Sequence, residues 1–240
     1  MSDTAPYTVP PPMMPVRRRR TGRRMLILVI VLLVLLGLLF GLDRAAAAYT
    51  ANRIATKLQT QGFPVKPDVS VQGFPFLTQL IRRHLDGIVV TAPRFPVGPV
   101  TASIHVHAMN VALDSGYQSG TIARVDGTGL ITFASLTKLP ALAAVPGLKI
   151  SAHGPQTVQL SANLGILAAT AIAQVKLVSP HEIALNLVSA TGVPAALLDP
   201  IRHLVVPIPA LPLGLTVQSV TVGSHGVVIG VSGSNVSFGQ

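Results

Sequence analysis

The chain has no cysteine and no tryptophan, only 4% aromatic residues, and only 11% charged residues among its 240 positions. Without cysteine there is no disulfide framework, no thiolate zinc ligand and no cysteine nucleophile, so packing must hold the fold together. Without tryptophan, and with few phenylalanines and tyrosines, an aromatic platform for stacking sugars is disfavoured, although Tyr49 and Tyr117 could still contribute. Acidic residues are scarcer than basic ones, 8 against 18, and Asp114, Asp126, Glu182 and Asp199 stand alone in sequence rather than as paired carboxylates. A Gly-x-Ser-x-Gly nucleophile elbow, a glycine-rich phosphate loop leading into a helix, and a repeat of 20 to 50 residues are all missing. A triad gathered only by folding leaves no such local mark. The expectation is a protein with no catalytic residues, no metal and no cofactor.

What the chain does have is one long apolar run, the 18 residues Met25 to Leu42, entered through Arg17 to Arg20, Arg23 and Arg24 and left through Asp43 and Arg44. At ~1.5 Å per residue a helix of this length measures roughly 27 Å, close to the ~30 Å hydrocarbon core of a bilayer. The arginines on the N-terminal side predict a cytoplasmic N-terminus and an extracytoplasmic remainder, hence a single-pass plasma-membrane protein. Ala45-x-Ala47 is a small-residue pattern that a signal peptidase could accept, but the run exceeds the ~7–15 residues of an ordinary signal-peptide core, which favours a retained anchor. Arg23-Arg24 lacks the surroundings of a twin-arginine address. Arginines that abut a spanning helix are explained by topology and by attraction to anionic headgroups, so nucleic acid is not an expected partner. Residues 1–24, with Pro10-Pro11-Pro12 and Pro15, read as a disordered basic cytoplasmic tail.

Residues 43–240 then form the exported domain. Removing the six arginines and one aspartate of the first 42 residues leaves 12 basic against 7 acidic side chains, a mildly basic domain poor in charge. From Arg44 to about Gln61, Ala47, Ala51, Ile54, Ala55 and Leu58 recur at helical spacing, with Gly62 as a stop. Alternation then predicts strands around Val65–Gln72, Ile88–Thr91, Val100–Ala108 and Gly120–Phe133, the last with Asp126-Gly127 as a turn or bulge. A short helix capped by Ser135 is expected to about Ala144. Further strands follow at Leu148–Ala152, Val158–Leu164, Gly165–Val178, which could instead be helical, and Ile183–Val188. A second short helix spans Pro194–His203, and a hairpin, Leu215–Val222 with Val227–Val231, closes the chain. The fold class predicted is α+β: an N-terminal transmembrane helix followed by a large curved antiparallel sheet wrapped around amphipathic helices.

The segment Val71-Gln72-Gly73-Phe74-Pro75-Phe76-Leu77-Thr78-Gln79-Leu80, placed after an amphipathic helix and one strand, resembles the signature of the actinobacterial LmeA-like phospholipid-binding family. The ending Ile208-Pro209-Ala210-Leu211-Pro212-Leu213-Gly214-Leu215, followed by a valine-rich hairpin, is similar to that family's C-terminus. The resemblance covers about Ala45 to Phe238 and implies an exported, membrane-associated domain of tubular lipid-binding type. It also implies phospholipid as ligand, and, from one member, a link to mannan elongation of mycobacterial lipoglycans. One departure is that Arg82-Arg83-His84 stand where the family commonly has a glycine.

The residues admit a physical reading beside the resemblance. Pro75 restricts Phe74 to an extended conformation and Gly73 permits a turn, so Phe74 and Phe76 could enter one apolar region, as a core plug or as a lining for lipid chains. Arg82 and Arg83, with His84, are candidates for an anionic headgroup, or a solvated basic loop facing the membrane. Lys66 and Arg94 are less specific neighbours. The lipid-binding set expected is therefore Phe74, Phe76, Leu77, Arg82 and Arg83. His105 and His107 share a strand face, but without a nearby third ligand they suit a solvated face better than a metal. The function expected is non-enzymatic phospholipid binding in cell-envelope lipid or lipoglycan handling. The alternative is a scaffold or accessory subunit of an envelope glycosyltransferase, with envelope biosynthesis proteins as partners.

Overall fold

The structure, a computed structural model, describes residues 21–60, 63–164, 167–193, 203–208 and 211–239. The chain divides into two units, Met1–Leu42 and Asp43–Gln240. The described part of the first unit is the opening of helix α1, Thr21–Thr60, whose side chains from Arg23 to Leu42 are all exposed. Its 18-residue apolar window has a mean hydropathy of 3.3, long and apolar enough to cross a membrane. The helix begins at Thr21, so Thr21 to Arg24 are helical, while residues 1–20 and the expected Pro194–His203 helix, apart from its last residue, lie outside the described residues.

The second unit opens with the remainder of α1 and continues as eleven described strands. Beta strands β1 (Asp68–Gln72), β2 (His84–Val97), β3 (Val100–Leu113), β4 (Gly120–Thr132), β10 (Thr216–Val222) and β11 (Gly226–Phe238) form one antiparallel sheet in the order β1-β2-β3-β4-β11-β10. Strands β5 (Lys149–Gly154), β6 (Thr157–Leu164), β7 (Leu167–Ser179), β8 (Glu182–Thr191) and β9 (His203–Pro207) form a second, in sequence order and again antiparallel. The α+β class and the antiparallel pairing agree with the sequence reading, but the single sheet is divided into two, and neither is closed.

Each sheet has its own core. Ala47, Ala51 and Ala55 follow one another at intervals of four, so they fall on one face of α1 and are buried against Val69, Val71, Leu85, Val111, Ile122, Val125 and Val236 of the six-stranded sheet. Alanine lets the helix axis approach the sheet closely, and Ile54 and Leu58 fill the margins of the stripe. The second core joins Val158, Leu160, Ala171, Ala173, Val175 and Ile183 of the five-stranded sheet to Val217, Val220, Val222 and Val227 of β10 and β11. Leu211 packs against both cores.

Several local expectations change. Gly165–Val178 is not helical where described: β7 buries Ala169, Ala171, Ala173 and Val175 at period two. Asp126-Gly127 makes neither turn nor bulge, because β4 passes through both in unbroken register with β3 and β11. Gly127 instead leaves room between strands, since a Cβ there would stand 2.8 Å from Val231 Cγ2 and 3.1 Å from Val106 Cγ2. The bulge falls in β2, between Ala92 and Phe95, where Pro93 has no N–H to give the ladder. The helix expected from Ser135 is two short ones, α3 (Phe133–Leu136) and α4 (Pro140–Ala143). Thr132, not Ser135, caps α3, its hydroxyl accepting from Ser135 N–H, while the buried Ser135 hydroxyl accepts from Thr101 N–H.

Candidate lipid-binding site

The signature segment forms a corner between β1 and β2. Gly73, at φ +88°, turns the chain out of β1, and Pro75 leads into the helix α2, Phe76–Ile81. A side chain at position 73 would put its Cβ 2.3 Å from both Gln79 Nε2 and Asp86 Oδ2, so glycine is required for space as well as for conformation. Gln79 is buried, and its amide is satisfied at both ends: Nε2 donates to Gln72 O at 3.3 Å and Oε1 accepts from Asp86 N at 2.9 Å. Gln79 of the signature thus holds the strand before the turn to the strand after it.

The corner is clamped to α1 by two charged residues that sequence reading counted only as the flank of the apolar run. Asp43 is 3% exposed; its Oδ1 accepts from Leu77 N at 2.8 Å and its Oδ2 from Arg44 Nη2 at 2.8 Å. Arg44 also donates to Gly73 O at 2.9 Å, and its guanidinium carbon lies 5.4 Å from the centre of the Phe74 ring. Burial works against the charged form of Asp43. The N–H groups of Leu77 and Phe76 and the Arg44 guanidinium outweigh it, holding the carboxyl below its ordinary range. The open N-terminal N–H groups of α2 are therefore answered by a carboxylate from another helix.

The five residues expected to bind lipid separate. Phe76 is 1% exposed and belongs to the core of the six-stranded sheet. Phe74 is 58% exposed, and Leu77, Arg82 and Arg83 are also exposed. The two phenylalanines thus do not share one apolar region. Phe76 is the first residue of α2 and points inward with Gln79 and Leu80, whereas Phe74 precedes the helix on the outside of the turn. Arg83 closes α2 at φ +54°, its carbonyl accepting from Leu113 N at 2.8 Å.

Other expected positions are occupied by local contacts. His105 Nδ1 is 3.2 Å from Thr91 Oγ1, and His107 stands opposite Asp126 in the β3–β4 register. No group of three metal-ligating side chains occurs among the described residues. Lys66 donates to Asn52 Oδ1 at 2.7 Å, joining the strand region to α1. Arg94 is exposed on the β2 bulge.

A feature that sequence reading missed lies on the five-stranded sheet. Leu142 of α4, Leu160 of β6, Ala173 of β7, Leu185 and Leu187 of β8 and Leu204 of β9 line a shallow apolar cleft of about 10 Å³, room for on the order of one water molecule. Leu185 faces Leu204 across one strand pair, and Ala173 faces Leu187 across the next. Ala173, the smallest of these side chains, is buried among the leucines at the floor of the cleft. Its walls offer no charge and no nucleophile; they can exclude water from an alkyl chain and do little else.

The family model for LmeA-like phospholipid-binding proteins matches residues 41–232, and the chain belongs to that family. The family is a phospholipid-binding one and not an enzyme family. No curated protein matches, and no solved structure matches.

Proposed function

We propose that this protein is a membrane-anchored, extracytoplasmic phospholipid-binding protein that takes part, without catalysis, in cell-envelope lipid or lipoglycan handling. The observation that carries the reading is the family match over residues 41–232, joined to an all-apolar leucine cleft on the five-stranded sheet. On this reading an acyl chain would enter between these leucines, with each buried methylene contributing about 0.8 kcal/mol. The leucine side chains rotate apart to admit it. Phe74, Leu77, Arg82 and Arg83 act from the surface corner described above, and Phe76 supports that corner from inside.

The anchor is retained rather than cleaved. Ala47, at the small-residue pattern, is buried in the domain core within α1, and cleavage there would also remove the Asp43 and Arg44 clamp. The second reading, an accessory subunit of an envelope glycosyltransferase, is favoured by how nearly the leucines meet, which leaves a shallow cleft. The test is photo-crosslinking of the full chain, reconstituted in bilayer discs, with a phospholipid carrying a diazirine on one acyl chain. Adducts on the peptides that hold Leu160, Leu185 and Leu204 are expected. Adducts confined to residues 21–42 would refute the lipid-carrying cleft and favour the accessory role.

A further inference from the structure

The corner at α2 has an outer face that the domain core does not use. Leu77 and Ile81 fall one helical turn apart on the side away from Phe76, and Ile81 is 78% exposed. Phe74 extends the same corner, and Arg82 and Arg83 follow immediately, both exposed. Large apolar side chains beside arginines, at the end of a short helix, match a surface that lies in the headgroup layer of a bilayer: the apolar groups enter the acyl boundary and the guanidiniums meet phosphates. The acids near this face are Asp86, which is exposed, and Asp43, which is buried and paired with Arg44, so positive charge prevails. His84 adds a further exposed, titratable group.

Chain connectivity says where this corner must be. Leu77 N–H is bonded to Asp43, and Asp43 is the residue directly after Leu42, the last of the apolar run. If that run spans the membrane, Asp43 emerges at its outer surface, and α2 is held within one hydrogen bond of it.

We infer that Phe74, Leu77 and Ile81, with Arg82 and Arg83, form a foot that docks the folded domain onto the anionic outer-leaflet surface beside its own anchor. This is separate from the acyl-chain cleft, which belongs to the other sheet, and it rests on the reading of Met25–Leu42 as a span. The occupant is the bilayer itself, not a single extracted lipid. Docking the foot fixes which end of the domain meets the membrane, and so from which side a lipid reaches the protein.

Because the chain contains no tryptophan, one substitution supplies a clean optical probe. Ile81→Trp, and as a control Val188→Trp on β8 at a residue 62% exposed, are introduced into the full chain and reconstituted in bilayer discs containing phosphatidylglycerol and acyl-brominated lipid. Ile81→Trp is expected to emit blue-shifted light and to be quenched by bromine, while Val188→Trp is not. Adding Arg82→Gln and Arg83→Gln should lower the docked-to-undocked ratio on the order of fivefold per arginine at low salt. High salt should shift the ratio the same way. Equal, unquenched emission from both positions would overturn the foot. So would a blue shift at position 81 without quenching, since that assigns the face to a protein partner. A chain that fails to co-elute with the discs would instead refute the span on which the foot depends.

Discussion

The two sheets of the domain solve the same problem with different covers. The six-stranded sheet lays its apolar face against the 43–60 part of α1, and the alanine stripe brings the helix down until Phe76, Val111 and Val125 are almost wholly enclosed. The five-stranded sheet receives, among the described residues, two four-residue helices together with the valines of β10 and β11; Leu160 is buried, while Leu185, Leu187 and Leu204 stay half-buried around a shallow cleft. A sheet that is apolar on one face must bury that face against another element. Among the described residues the shorter cover leaves the hollow: the leucine cleft is a part of the second core that the described segments do not fill.

That contrast can be broken most forcefully at Phe76. Phe76→Ala should destabilise the domain by about 3–5 kcal/mol, because the ring is enclosed and the surrounding strands cannot collapse into the space. A loss of under about 1 kcal/mol in denaturant unfolding of the full chain would mean that the first core is not close-packed there. Leu185→Ala should cost less, at or below the low end of the ~2–5 kcal/mol seen for leucine truncations in packed cores, since Leu185 already borders empty space.

Enlarging residues sharpens the comparison from the other side. Ala51→Leu, under α1, should cost about 1–3 kcal/mol by forcing the helix off the sheet. Ala173→Leu, at the floor of the hollow, should lower the yield of acyl-chain crosslinks in the same preparation. If the folded Ala173→Leu chain crosslinks as well as wild type, the cleft is no site.

The smallest effect concerns acid. The carboxyl of Asp43 is held below its ordinary value of 3.8, so its contribution to stability is present above that pH and is lost as pH falls through the lower folded value. Thermal unfolding followed from pH 6 down through this range should show wild type losing its advantage over Asp43→Asn as the acid is protonated. A gap between the two that stays constant with pH would sever the clamp from the carboxylate's charge.

Much of this was legible in the chain because period-two alternation reports which face of a strand is buried. The strand at Val100–Ala108 was readable for that reason, and the alanine stripe of α1 was readable by period four. Alternation does not report sheet membership, so one sheet was expected where the connection through α3 and α4 starts a second. The Asp126-Gly127 pair looked like a turn because the demand on Gly127 comes from Val106 and Val231 on neighbouring strands, distant in sequence.

The candidate site divides in the same manner. The signature announced itself, yet the pairing of Phe74 with Phe76 came from counting residues. The helix start at Phe76 turns one ring inward and leaves the other outside. Asp43 and Arg44 looked like a simple charged flank, since their partners Leu77 and Gly73 lie some thirty positions away. The cleft draws on α4 and four strands, with no local spacing to mark it.

The hydrogen bond from Leu77 to Asp43 also shows where the folded body starts along the chain. A flexible linker of n residues lets a tethered domain roam roughly 5–6 Å × √n, and here the first residue after the apolar run is already part of the folded body. A run retained in a bilayer would keep such a domain at its surface. On the proposed reading, any lipid it binds would be handed over at the membrane surface.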